Sequence, residues 1–273
     1  MKNNLTFRIV SALVAVVILV LAVYYGRETG IYLMALFCVF RGSFEMARLF
    51  FQDPYPKFAK PFLVGLSLTI FSVITFENFQ SMAGIFIVLA FVLIAVVGIV
   101  FHRQFKEVED VLSFATKCMM GIVYTCYLPA TVVWITQTNQ GIEWFLCLLL
   151  VVFAGDIGAY LFGSLFGKTK IAPLLSPKKS LQGGIGGLLF SALAAVGFSY
   201  FVPNTPIFVL FFVGLFGGLL GQVGDFFESL IKRVAGVKDS GSIMPGHGGV
   251  LDRLDGVLLA APLFYVISHY YSL

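Results

Sequence analysis

Apolar stretches of membrane-crossing length recur along the whole chain, and they constrain the fold more than any other feature. A helix needs about 20 predominantly apolar residues to cross the hydrocarbon core. Nine segments approach or reach that length: 7–25, 29–51, 61–76, 82–101, 112–134, 143–165, 184–202, 207–227 and 250–270. The chain is 59% hydrophobic and 12% charged, where a soluble domain carries about 25% charged residues. A membrane β-barrel would show short alternating segments, which this sequence lacks. The expected fold is therefore all-α: one polytopic integral membrane helical bundle with about nine transmembrane helices.

The polar connections set the expected orientation. Basic residues gather in alternate loops: Lys2 and Arg8; Lys57 and Lys60; Arg103 and Lys106; Lys168, Lys170, Lys178 and Lys179; Lys232, Arg233 and Lys238. The opposite loops hold Arg27 alone. The positive-inside rule then places the N-terminus in the cytoplasm and the C-terminus outside. The net charge of +4 reports topology, and bases spread over five loops argue against a nucleic-acid partner. The first apolar run, Ile9 to Tyr25, exceeds a signal-peptide core and no small-x-small cleavage site follows, so it reads as a retained helix. Cys38, Cys118, Cys126 and Cys147 form no C-x-x-C pair and read as buried structural thiols.

Against this background the polar residues between 224 and 255 stand out. Asp225, Ser229, Lys232, Arg233, Lys238, Asp239, His247, Gly248, Gly249, Asp252, Arg253 and Asp255 crowd into 32 residues. Ionisable groups at membrane depth are expensive and mark function. Asp225 ends the eighth span and Asp252 and Asp255 open the ninth. Three residues apart on a helix, the last two share a face in a first turn that favours anions. Three carboxylates suit a hard cation, the bases suit phosphates, and the glycines admit close backbone. The bland alternative pairs the acids with Arg233 or Arg253. His247, between glycines, reads either as a satisfied loop residue or as a group placed near a ligand.

A second constellation begins inside the sixth span with Asp156 and continues through Lys168, Ser176, Pro177, Lys178, Lys179 and Ser180. Its hydroxyls and ammonium groups suit phosphate oxygens. Gly163 to Thr169 is one residue too short between its glycines to be a P-loop. Arg41, Glu45 and Arg48 lie at helical spacing in the second span and read either as an internal ion pair or as a lipid-phosphate contact. Gly214-x-x-x-Gly218 and Gly217-x-x-x-Gly221 permit close helix packing. His102 and His269 are isolated and receive no role. An ion-coupled transporter is the competing class, but the polar groups cluster at one face and no inverted repeat is visible.

The ordered run Ser229, Lys232-Arg233, Lys238-Asp239, Gly241, Pro245, His247-Gly248-Gly249, Asp252-Arg253, Asp255 resembles the signature of the phosphatidate cytidylyltransferase family, also called CDP-diacylglycerol synthases. Residues 156–183 are similar to a second block of that family, and Phe44 to Arg48 to a weaker one. Met244 replaces an aliphatic or aromatic residue, and Leu181-Gln182 stand where the family has Trp-Glu. The resemblance covers residues 141–273 well, as catalytic helices and loops, and residues 1–140 only in membrane pattern.

The resemblance implies a reaction of CTP with phosphatidic acid giving CDP-diacylglycerol and pyrophosphate. An enzyme acting on another lipid phosphate is the alternative. It further implies Mg²⁺ as cofactor, held by Asp225, Asp252 and Asp255, with Asp156, Lys238 and His247 completing the catalytic set. Lys168, Ser176, Lys178, Lys179, Ser180, Ser229, Lys232, Arg233, Asp239, Gly248, Gly249 and Arg253 are then the expected substrate-binding residues. The implied setting is the cell membrane, with the site facing the cytoplasm, membrane lipids as partners and a homodimer as assembly.

Overall fold

The computed structural model describes residues 2–243 and 248–271, so the expected roles of His247 and the Met244 replacement lie outside the described residues. The described chain is helical and contains no extended strand. Each of the nine expected apolar segments falls on helix. The elements are α1 (Lys2–Leu21), α2 (Arg27–Phe50), α3 (Ala59–Ile74), α4 (Glu77–Gln80), α5 (Ala83–Val100), α6 (Val108–Ile122), α7 (Leu128–Thr136), α8 (Gly141–Phe166), α9 (Leu181–Gly197), α10 (Ile207–Val234) and α11 (Leu251–Tyr271).

Among the described residues, six helical stretches are long and apolar enough to cross a membrane: Leu13–Phe50, Ala83–Val100, Val108–Thr136, Gly141–Phe166, Leu181–Phe201 and Ile207–Val234. The first merges two expected spans, yet the backbone breaks inside it. Arg27 sits at φ 47°, a region costly for a side-chain-bearing residue. The chain folds back there, because a Cβ on Gly30 would collide with the Ala22 carbonyl. Residues eight apart in an unbroken helix stand about 12 Å apart. The remaining two expected spans fall outside the six for visible reasons. α3 has 16 residues, and α11 begins with Asp252, Arg253 and Asp255.

The chain divides into two compact units. One comprises the described parts of Met1–Val133 and Asp239–Leu251; the other comprises those of Trp134–Lys238 and Asp252–Leu273. The first unit packs through aromatic rings. Fully buried Phe114 meets Phe51, Phe58, Phe62 and Phe105 at centroid separations of 5.4 to 5.9 Å, distances at which such pairs attract. Lys117 ties down the segment after α2 by donating to the Phe50 carbonyl (3.0 Å) and Tyr55 hydroxyl (2.9 Å).

The second unit packs through glycine. On α8, α9 and α10, Gly155, Gly158, Gly183, Gly186, Gly187, Gly214 and Gly218 all face a neighbouring helix with no room for a Cβ. Small residues let helix backbones approach where lipid offers no hydrophobic drive. Polar side chains then bridge: Ser191 Oγ donates to the Val151 carbonyl at 2.8 Å, and Gln222 Nε2 to the Gly184 carbonyl at 3.0 Å. The four cysteines are free thiols, three of them buried and Cys38 half-buried.

Candidate active site

The site grows from the antiparallel crossing of α10 and α11. A Cβ on Gly224 would strike the Asp255 carbonyl, and one on Gly256 would lie 3.3 Å from the Gly221 carbonyl. Glycine at these positions brings the helices into backbone contact and sets Asp225, the residue after Gly224, beside Asp255. Asp255 lies within electrostatic range of both Asp225 and Asp156, so α8 contributes the third acid. Asp255 Oδ1 also accepts the Gly256 N–H at 2.8 Å.

Two ion-pair knots organise the polar residues. In the first, Lys179 from the loop before α9 pairs with Asp225 Oδ2, and its ammonium lies 4.4 Å from the centre of the Phe226 ring. Ser229 Oγ stands 3.5 Å from Asp225 Oδ1. This knot is open: the Lys179 and Asp225 side chains are 31% and 37% exposed. In the second, Lys232 Nζ donates to Glu228 Oε2 and Asp252 Oδ1, each at 2.6 Å. That knot is closed, with Glu228 and Asp252 side chains 1% and 6% exposed. Glu228 Oε1 is buried and has no hydrogen-bond partner among the described residues.

The structure thus divides the expected metal-binding trio. Asp252 turns to Lys232, further along α10, while Asp255 lies within electrostatic range of Asp225 and Asp156. A three-residue step on a helix offsets two side chains by roughly 60°, which suffices to send Asp252 and Asp255 to different partners. Among the described residues, no three His, Cys, Asp or Glu groups stand close enough to hold one ion together. The Asp156, Asp225 and Asp255 group still suits a hard divalent cation in its donor chemistry: oxygen-only ligands whose mutual repulsion a cation relieves.

The loop between α8 and α9 is shaped by its own hydrogen bonds. Gln182 Oε1 accepts the Lys168 and Thr169 N–H groups at 3.1 and 3.2 Å, so the residue replacing the resembled family's Glu pins this turn. Lys170 and Ser180 form an isolated antiparallel bridge. Buried Ser180 caps α9 by accepting the Gly183 N–H at 3.2 Å. Arg233 Nε lies 3.4 Å from the Leu175 carbonyl. Lys168, Lys178, Lys238, Asp239 and Arg253 are exposed, and Ser176 is half-buried.

Sequence reasoning missed two residues, Glu228 and Phe226, and singled out Glu45 without its main-chain partners. Glu228 follows an i, i+4 pattern with Lys232, a signal that was present. Phe226 carries no polar mark. Glu45 spends most of its contacts on residues some 200 positions away: its carboxylate oxygens accept the Val250 and Leu251 N–H groups at 3.1 Å and the Ser240 hydroxyl at 3.2 Å. Gly249 packs on that carboxylate.

The model of the cytidylyltransferase family matches residues 6–271. A protein of Staphylococcus aureus (strain COL) named phosphatidate cytidylyltransferase is 40% identical over 154 residues, covering 56% of this chain and 58% of that protein. One of the same name from Staphylococcus haemolyticus is 40% identical over 158 residues with the same coverage. The chain therefore spans 58% of the length of these curated relatives.

Proposed function

The chain belongs to the cytidylyltransferase family, and from that premise we propose that it is a membrane phosphatidate cytidylyltransferase converting CTP and phosphatidic acid to CDP-diacylglycerol and pyrophosphate. The observation that carries this reading is the open knot of Lys179 and Asp225, beside Asp255 and Asp156, with exposed cations on the adjoining loops. A phosphate oxygen of the lipid attacks the α-phosphorus of CTP. A new P–O bond forms, the bond from that phosphorus to the oxygen bridging the α- and β-phosphates breaks, and pyrophosphate leaves with those electrons. Such transfers need little covalent help; they need placement and charge compensation.

Lys179 is the cation paired with Asp225 and is released to a phosphate when Asp225 takes another partner. Lys168, Lys178, Arg233 and Lys238 are exposed and collect the remaining phosphate charge. Lys232 keeps Asp252 in place and is itself mostly occupied. Asp225, Asp255 and Asp156, which do not stand close enough to hold one ion together in this structure, would have to draw in around Mg²⁺, which would supply charge neutralisation on the phosphates and the leaving pyrophosphate. The site faces the cytoplasm in this reading, since the basic loops lie on its side of the chain and CTP arrives from there. The cell membrane is the compartment, and a homodimer is the assembly, which light scattering in detergent tests.

The activity is tested with purified protein in detergent, CTP and phosphatidic acid. CDP-diacylglycerol and pyrophosphate should appear in equal amounts. Turnover with a polyprenyl phosphate and none with phosphatidic acid would move the substrate to another lipid phosphate. No pyrophosphate with either lipid would overturn the reading.

A further inference from the structure

We propose that Glu45 is a positioning residue for the reaction: from α2 it anchors the described parts of the 239–251 segment and fixes the first turn of α11, from which Asp252 and Asp255 extend. This rests on the proposed function for its kinetic part and on geometry alone for its structural part. A helix start leaves N–H groups without intrahelical partners. A Ser, Thr, Asp or Asn just before the helix usually accepts them. Here the preceding residues are Gly248, Gly249 and Val250, none with an acceptor side chain. Glu45 supplies the missing acceptor, with Oε1 3.1 Å from the Val250 nitrogen and Oε2 3.1 Å from the Leu251 nitrogen.

The same carboxylate gathers the other end of the segment. Ser240 Oγ donates to Oε2 at 3.2 Å. A Cβ on Gly241 would lie 2.6 Å from Oε1, and one on Gly249 would collide with Oε2. The Leu251 side chain sits over Gly42, one turn from Glu45, where a Cβ would stand 3.0 Å from Leu251 Cδ2. Glu45 is 1% exposed. Its ion pair with Arg41 spans 3.9 Å, the outer limit for such a pair, while its amide bonds are of normal length. The N–H groups, rather than Arg41, are therefore what hold this carboxylate, and a negative group at a helix start is favoured by the helix dipole.

The consequence reaches the site through the covalent chain. Asp252 is the next residue after Leu251, and its 2.6 Å bond to Lys232 tolerates little displacement. A shift of about 1 Å in a reacting group is enough for a hundredfold loss. Glu45→Gln keeps the size but replaces one acceptor oxygen with a donor, so one N–H faces a donor. Gly241→Ala presses a methyl group onto the Glu45 carboxylate while leaving that side chain chemically intact, and Arg41→Gln removes the long ion pair and the contact with the Phe44 ring while leaving the amide bonds in place.

Hydrogen exchange by mass spectrometry, thermal melting and steady-state kinetics are measured on the full chain in detergent. Glu45→Gln and Gly241→Ala should speed exchange in peptides covering 248–252 while leaving α3 and α6 unchanged. Each should also lower kcat/KM at least about tenfold with a raised KM for CTP in folded protein. Arg41→Gln should stay within a few-fold of wild type. Unchanged exchange at 248–252 would overturn the proposal. So would activity lost only in proportion to the folded fraction with KM unaltered, or an Arg41→Gln effect equal to that of Glu45→Gln. A wild-type protein without turnover would instead refute the proposed function, and the exchange data would still judge Glu45.

Discussion

The carboxylate of Glu45 and that of Asp225 are both at helix depth, yet the molecule treats them in opposite ways. Glu45 is 1% exposed, and its bonds run to main-chain N–H groups and a hydroxyl. Asp225 is 37% exposed and faces an ammonium group that is itself one-third exposed. Fixed amide donors cannot leave without local unfolding, whereas an exposed lysine exchanges partners at small cost. A saturated, enclosed acid holds architecture, and an open, cation-paired acid is available to a ligand. The Lys232 knot belongs with the first kind by burial, although its partners are side chains.

The sharpest break of this contrast comes from the open acids. Asp255→Asn preserves shape and removes charge where Asp225 and Asp156 converge. It should lower kcat/KM by roughly two to four decades, equivalent to about 3–5 kcal/mol of transition-state stabilisation. The variant should insert and melt like wild type. Activity within a few-fold of wild type would return these acids to a structural role.

The closed knot should respond in stability. Lys232→Met leaves Glu228 and Asp252, 1% and 6% exposed, without their shared cation. Removing one partner of a buried pair costs about 3–5 kcal/mol, to be read as a lowered melting temperature in detergent. Lys179→Gln, by contrast, should shift melting little, because its pair is open and such pairs contribute about 0–1 kcal/mol. Equal melting shifts for the two lysines would erase the distinction.

Much of this was legible beforehand. The nine apolar runs predicted nine helical stretches, because span length and composition act locally. The grouping of Asp225 and Asp255 followed from their places at the ends of consecutive spans. The pairing of Asp252 with Lys232 was not legible, since it depends on the rotation of α11 against α10, set by Gly221, Gly224 and Gly256. The Glu45 contacts were hidden for another reason: main-chain N–H groups carry no sequence identity, and those of Val250 and Leu251 lie over 200 residues away. A Ser-x-x-Gly helix cap and a phosphate-binding hydroxyl look alike in sequence, so the capping bond of Ser180 was not legible either.

Smaller effects refine the picture. Gly224→Ala forces a methyl group into the Asp255 carbonyl and should cost on the order of 1–3 kcal/mol, with activity falling alongside stability. Lys178→Gln removes one exposed cation of several. It should raise the KM for a phosphate-bearing substrate only a few-fold and leave kcat and melting unchanged. A decade or more in kcat would make Lys178 part of the chemistry.

The central claim is that the open acid group works with a divalent cation to pass cytidylate from CTP to a lipid phosphate. Pyrophosphate release from CTP and phosphatidic acid by the purified protein, before and after EDTA and after Mg²⁺ is restored, tests it most directly. The account predicts turnover that stops with chelation, returns with Mg²⁺ and is absent throughout in Asp255→Asn. Turnover indifferent to EDTA, or undiminished in Asp255→Asn, would contradict it.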